Sequence, residues 1–122
     1  MSIGDLYREA SKASIAIDNH LLNRATSEEY QTIQNLSNRL YKISKEQDFS
    51  DLMIMAKTIW PNRKDWEGKG WEDVKLQTSL LKMDLSTLKD LPKERQESLR
   101  DTCVRLSKEH LYYLCERYSL VT

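Results

Sequence analysis

The chain has 122 residues, 39% hydrophobic and 31% charged, with Lys plus Arg and Asp plus Glu balanced at 19 each. That length supports one ordinary core, and the zero net charge leaves no global field to steer the protein onto nucleic acid, anionic lipid or an acidic substrate. Any such partner must be met by a local patch, and no apolar run approaches the ~20 residues that span a bilayer.

The N-terminal MSIGDLYREA is polar and acidic rather than leader-like. The two cysteines, Cys103 and Cys115, fall in one helical stretch that would hold them about 18 Å apart, too far for a disulfide. These features predict one domain over residues 1–122, soluble, reduced and cytoplasmic, with no membrane partner.

Ser2 and Asp5 stand at capping-box spacing, and Ile3, Leu6, Tyr7, Ala10, Ala13, Ile17 and Leu21 repeat every three or four residues. They predict a helix over about residues 3–22. A second box, Thr26 with Glu29, introduces Tyr30, Ile33, Leu36, Leu40 and Ile43, predicting a helix over about 27–46. Ser50 is placed to cap a short third helix carrying Leu52, Met53, Ala56, Ile59 and Trp60, which must end before Pro61.

The stretch Pro61 to Gly70 reads as a loop. A fourth helix begins near Trp71 and runs through Val74 and Leu81, with its end left open between there and Leu85 or Leu88. The last opens around Asp90 or Leu91 with Pro92 in its first turn, and carries Leu99, Cys103, Leu106, His110, Leu114 and Tyr118 over about 25 residues. No alternating strand pattern, repeat or low-complexity tract interrupts this series. The fold class is therefore all-α, a single bundle of about five amphipathic helices with a long C-terminal helix.

Glycine-rich phosphate loops, Cys-x-x-Cys, His-Glu-x-x-His and nucleophile elbows are absent. His20 and His110 are the only histidines, and neither has an acid three residues before it, as a di-iron bundle requires. No metal or cofactor is expected. The acidic pairs Glu28–Glu29 and Glu72–Asp73 sit where carboxylates favour exposed helix-start amides.

Three features remain. Arg105, His110 and Tyr112 have R-x4-H-x-Y spacing, which resembles the motif of the HEPN ribonucleases. That resemblance implies His110 for proton transfer, Arg105 for the scissile phosphate and Tyr112 in support, with two copies meeting in a dimer. The alternative makes His110 one more member of the stripe Leu99, Cys103, Leu106 and Leu114, a core or interface histidine. Secondly, residues 57–75 hold Trp60, Trp66 and Trp71 among Arg63, Lys64 and Lys69. Cations beside aromatics hold single strands by phosphate neutralisation and base stacking. The alternative has Trp60 and Trp71 closing the core and Trp66 anchoring a protein. Thirdly, Leu111, Tyr112, Tyr113 and Tyr118 spread apolar surface around more of the last helix than one core needs, which suits a protein interface.

In size, helix count and its basic–aromatic loop the chain resembles the small helical subunit of CRISPR effector complexes. That resemblance implies a non-catalytic subunit packed in a row along backbone subunits. The expected function is thus a non-catalytic subunit or adaptor that assembles with itself and other proteins. A nucleic-acid strand is a further partner, met through Arg63, Lys64, Lys69 and Trp66. A HEPN-type ribonuclease and a small inhibitor or immunity-type protein are the alternatives.

Overall fold

The computed structural model describes residues 3–45, 49–60 and 71–117. These form α1 (Ile3–Leu21), α2 (Ser27–Lys45), α3 (Phe49–Ile59), α4 (Trp71–Ser86) and α5 (Lys93–Arg117), with one 3-10 turn (Leu88–Asp90) between α4 and α5. There is no strand among the described residues. The protein is an all-α bundle.

Local chemistry sets most boundaries. At the start of α2 the Thr26 amide donates to Glu29 Oε1 at 3.1 Å, and the Glu29 amide donates to Thr26 Oγ1 at 3.2 Å. This is the reciprocal box read from the sequence. The end of α1 is closed by Asn23, at φ 57°. Asn23 NH donates to the His20 carbonyl at 3.0 Å and Arg24 NH to the Asn19 carbonyl at 2.9 Å, the paired bonds of a Schellman motif. Ser2, the first predicted cap, lies outside the described residues. α3 opens at Phe49, so Ser50 falls within its first turn rather than before it. α4 ends at Ser86, within the range that the apolar repeat left open, and Leu88 continues the core from the 3-10 turn. Leu91 is extended (ψ 151°), as the residue before a proline must be. The Pro92 carbonyl then accepts the first α5 bonds from Arg95 and Gln96. Gln96 Nε2 also donates to the Leu88 and Leu91 carbonyls at 2.9 and 3.1 Å, tying the turn to α5.

The principal packings run α1 on α2, α2 on α4, α4 on α3, α3 on α5 and α5 back on α1, a closed ring of five helices. α1 and α2 run antiparallel: Glu9 faces Arg39 at 3.6 Å towards one end, and His20 Nδ1 lies 2.7 Å from the Tyr30 hydroxyl at the other. Asp18 in late α1 meets Arg100 in early α5 at 3.2 Å, so that extensively packed pair is antiparallel too. Tyr30 beside Lys89 and Tyr41 beside Lys82 give the same sense to α2 and α4.

All five helices send side chains into one continuous core. Leu6, Tyr7, Ala10, Ala13, Ala16 and Ile17 come from α1; Ile33, Leu36, Leu40 and Ile43 from α2; and Leu52, Met55, Ala56 and Ile59 from α3. Val74, Leu81, Leu85 and Leu88 are joined by Leu99, Cys103 and Leu106 of α5, while Trp60 and Tyr30 pack partly buried against the margin. Two buried polar residues make their own bonds: Thr78 Oγ1 donates to the Val74 carbonyl at 2.9 Å, and Ser37 Oγ donates across to the Lys82 carbonyl at 2.9 Å.

Candidate functional site

α4 divides into four faces, because successive residues turn by about 100° around a helix. Val74, Thr78, Leu81 and Leu85 are buried in the core. A second face points towards α5, where Asp84 Oδ2 accepts from Arg95 at 2.6 Å. A third, Lys75, Ser79, Lys82 and Ser86, lies on the α2 side and continues into Lys89 of the 3-10 turn. The fourth is turned away from the core and holds Leu76, Leu80 and Met83, which are 55%, 45% and 56% exposed. Apolar residues at positions i, i+4 and i+7 on the outside of a bundle form a continuous stripe.

The α2 side of the seam is aromatic and basic. Tyr41 is 44% exposed, with Lys45 Nζ 4.8 Å and Lys82 Nζ 4.7 Å from its ring centroid. A hydrogen bond with Lys45, with the charges of Lys45 and Lys82, holds the Tyr41 phenol below its usual value of 10.0. One helical run away Lys89 Nζ sits 4.0 Å from the Tyr30 ring centroid. The Tyr30 hydroxyl is engaged by His20, whose ring also meets that of Tyr30 edge-on at 5.5 Å. Beside them a cavity of about 330 Å³ is lined by Tyr30, Gln34, Ser86, Thr87, Lys89 and Asp90, with Ile33, Leu85 and Leu88 behind.

The residues singled out in the sequence are distributed differently. Arg105 lies on α5, and its Nη1 donates to the carbonyl of Ile59, the last residue of α3. One guanidinium N–H is thus engaged in closing a helix end. His110, Leu111, Tyr112 and Tyr113 lie on the C-terminal half of α5, but their side chains fall outside the described residues. So do Arg63, Lys64, Trp66, Lys69 and Tyr118 entirely. Trp60 packs against the core margin and borders a groove between α4 and α5 with Leu80, Leu81 and Leu99, in keeping with its reading as a core-closing residue.

Two groups missed in the sequence matter here. His20 is a bonding partner of Tyr30 across the α1–α2 hairpin, ten residues away, a pairing that helix periodicity does not reveal. The outer stripe Leu76, Leu80 and Met83 is absent from the apolar repeat Val74, Leu81, Leu85 and Leu88, which picks out only the core face of α4. Among the described residues no three His, Cys, Asp or Glu side chains come close enough to hold a metal ion. No helix among them is long and apolar enough to cross a membrane. Comparison with known protein families, with characterised proteins and with solved structures finds no match.

Proposed function

We propose that this protein is a non-catalytic helical subunit that assembles with protein partners through the outer face of α4. The observation that carries the reading is the stripe Leu76, Leu80 and Met83, half exposed on a helix whose core-facing side is already satisfied by Val74, Thr78, Leu81 and Leu85. Covering the exposed half of each would contribute about 1 kcal/mol per side chain. The occupant that suits such a stripe is an apolar helix face of another protein subunit, laid along i, i+4 and i+7 positions. The apolar C-terminal positions Leu111, Tyr112, Tyr113 and Tyr118 offer the assembly a second contact. The small helical subunit of a CRISPR effector complex is the most specific form of this reading.

The test is the native mass of the purified protein and of a Leu76→Asp/Leu80→Asp variant, measured by light scattering after gel filtration. Wild type should exceed the monomer mass, or carry one identified protein in fixed stoichiometry. The variant should be monomeric and partner-free with an unchanged helical circular dichroism spectrum. A monomeric wild type that carries no stoichiometric protein would sink the reading.

A further inference from the structure

We propose that a single-stranded nucleic acid binds along the seam between α2 and α4, its phosphates on Lys45, Lys82 and Lys89 and its bases against Tyr41 and in the cavity beside Tyr30. The site is separate from the loop at residues 61–70 and stands whether or not the outer face of α4 mediates assembly.

The lysines form a periodic row. Lys75, Ser79, Lys82, Ser86 and Lys89 are spaced four, three, four and three residues apart, so they share one side of α4 and its following turn. Lys82 marks which side this is, since its backbone carbonyl accepts from Ser37 of α2 and its ammonium reaches Tyr41 of α2. Opposite it, Tyr30, Gln34, Tyr41 and Lys45 share the side of α2 nearest α4. None of these nine positions is acidic. Among the described residues, Asp84 pairs with Arg95, and Glu29 accepts from Asn19 and Thr26. Asp90 borders the cavity at the far end of the row. A chain of zero net charge thus gathers Lys45, Lys82 and Lys89 along one seam.

The aromatic content separates this strip from a merely solvated row of lysines. Phosphate neutralisation by lysine supplies salt-dependent attraction, and an exposed aromatic ring supplies a platform for any base. Tyr41 carries the ammonium groups of Lys45 and Lys82 over its ring, so a base that stacks there displaces one of them, and the displaced lysine stays within reach of the adjoining phosphate. At the other end the cavity of about 330 Å³ sets the Lys89 ammonium, over the Tyr30 ring, beside the Ser86 and Thr87 hydroxyls, which donate to the Met83 carbonyl and keep their oxygens as acceptors, and beside Gln34, whose amide nitrogen donates to Asn38. That size falls in the range of small-molecule sites and accepts one base or nucleoside, not a duplex.

The experiment is fluorescence anisotropy with a labelled single strand on the order of 12 nucleotides, a plausible span for one small module. The wild-type protein should bind it at 50 mM salt. The slope of log affinity against log salt should be about −2, as expected for about three lysine–phosphate contacts on a single strand. Lys82→Glu/Lys89→Glu should weaken binding at least tenfold. Tyr41→Ala should weaken it about fivefold or more without changing the slope, because stacking is lost and charge is kept. Leu76→Asp/Leu80→Asp should bind the strand normally, which separates this proposal from the assembly reading. Circular dichroism melts show that each variant is folded, and Lys82→Gln/Lys89→Gln provides a milder replacement for a variant that is not.

No wild-type binding, or unchanged affinity in the lysine variants, overturns the proposal. Loss of binding in Arg63→Glu/Lys64→Glu with none in the lysine variants also overturns it, by moving the strand to the loop. Equal affinity for inorganic polyphosphate together with a silent Tyr41→Ala would reduce the strip to a general anion surface and likewise overturn it.

Discussion

Thr26 and Glu29 show how much a pair of side chains decides locally. Their reciprocal bonds satisfy amides that the first turn of α2 would otherwise leave open, and a second bond from Asn19 draws Glu29 towards the end of α1. Thr26→Ala should cost about 1 kcal/mol in urea unfolding. The hydrogen bond from Asn19, followed by that from the Thr26 amide, holds the Glu29 carboxyl below its ordinary 4.5. A carboxyl depressed on folding is protonated first in the unfolded chain. Its stabilisation is therefore complete above pH 4.5 and lost as pH falls below it. Stability of Glu29→Gln should decline less steeply than that of wild type between neutral and acid pH, by chemical unfolding at stepped pH. Cys103 has the opposite sign. Burial pushes its thiol from 9.0 up to about 12, so its contribution is complete below pH 9 and lost as pH rises towards 12. In a Cys115→Ser background Cys103 should resist a thiol reagent at pH 8 and react within the unfolding transition. Arg105→Ala should cost about 1 kcal/mol of stability by releasing the Ile59 carbonyl, and Arg105→Lys should restore little of it because a single ammonium lacks the guanidinium fork.

At the scale of elements, α1 and α4 succeed by opposite means. α1 places Ala10, Ala13 and Ala16 among fully buried positions, and such small side chains let it pack closely with both α5 and α2. Ala13→Leu should destabilise the protein by roughly 1–3 kcal/mol through overpacking, seen as a lower midpoint in thermal and urea unfolding. The periodicity of α1 and α2 is plain in the sequence because each is apolar on one face and polar on the rest. α4 carries core, acidic, basic and outer apolar faces in sixteen residues. The repeat Val74, Leu81, Leu85 and Leu88 marks the core face, and it leaves Leu76, Leu80 and Met83 unassigned. The end of α4 is equally obscure in the sequence, since Leu88 reaches the core from a 3-10 turn that its own backbone bonds close and Gln96 ties to α5.

For the whole molecule, the ring of five helices assigns roles to these faces. Among the described residues each helix packs principally on two neighbours. In the sequence the candidate contact features are the loop at residues 61–70 and the last helix. The described structure adds the outer stripe of α4 and the α2–α4 seam, both built from residues dispersed along the chain. Simultaneous substitution of Leu76 and Leu80 by Asp should leave the melting temperature within a few degrees of wild type, because both side chains already contact water. A fall of more than ten degrees would mean that the stripe belongs to the core.

The helical class, the number of long helices, the α2 capping box and most core residues followed from sequence alone, because 3.6-residue periodicity and capping act over a few neighbouring positions. The tertiary structure decided which helices are neighbours, which leucines of α4 remain outside, and which lysines converge on Tyr30 and Tyr41. Those outcomes depend on how helices distant in the chain rotate against one another to bury their apolar faces. Local periodicity does not contain that information. It also explains why His20, silent in the sequence, acquires Tyr30, and why Arg105, prominent there by spacing, proves to close the end of α3.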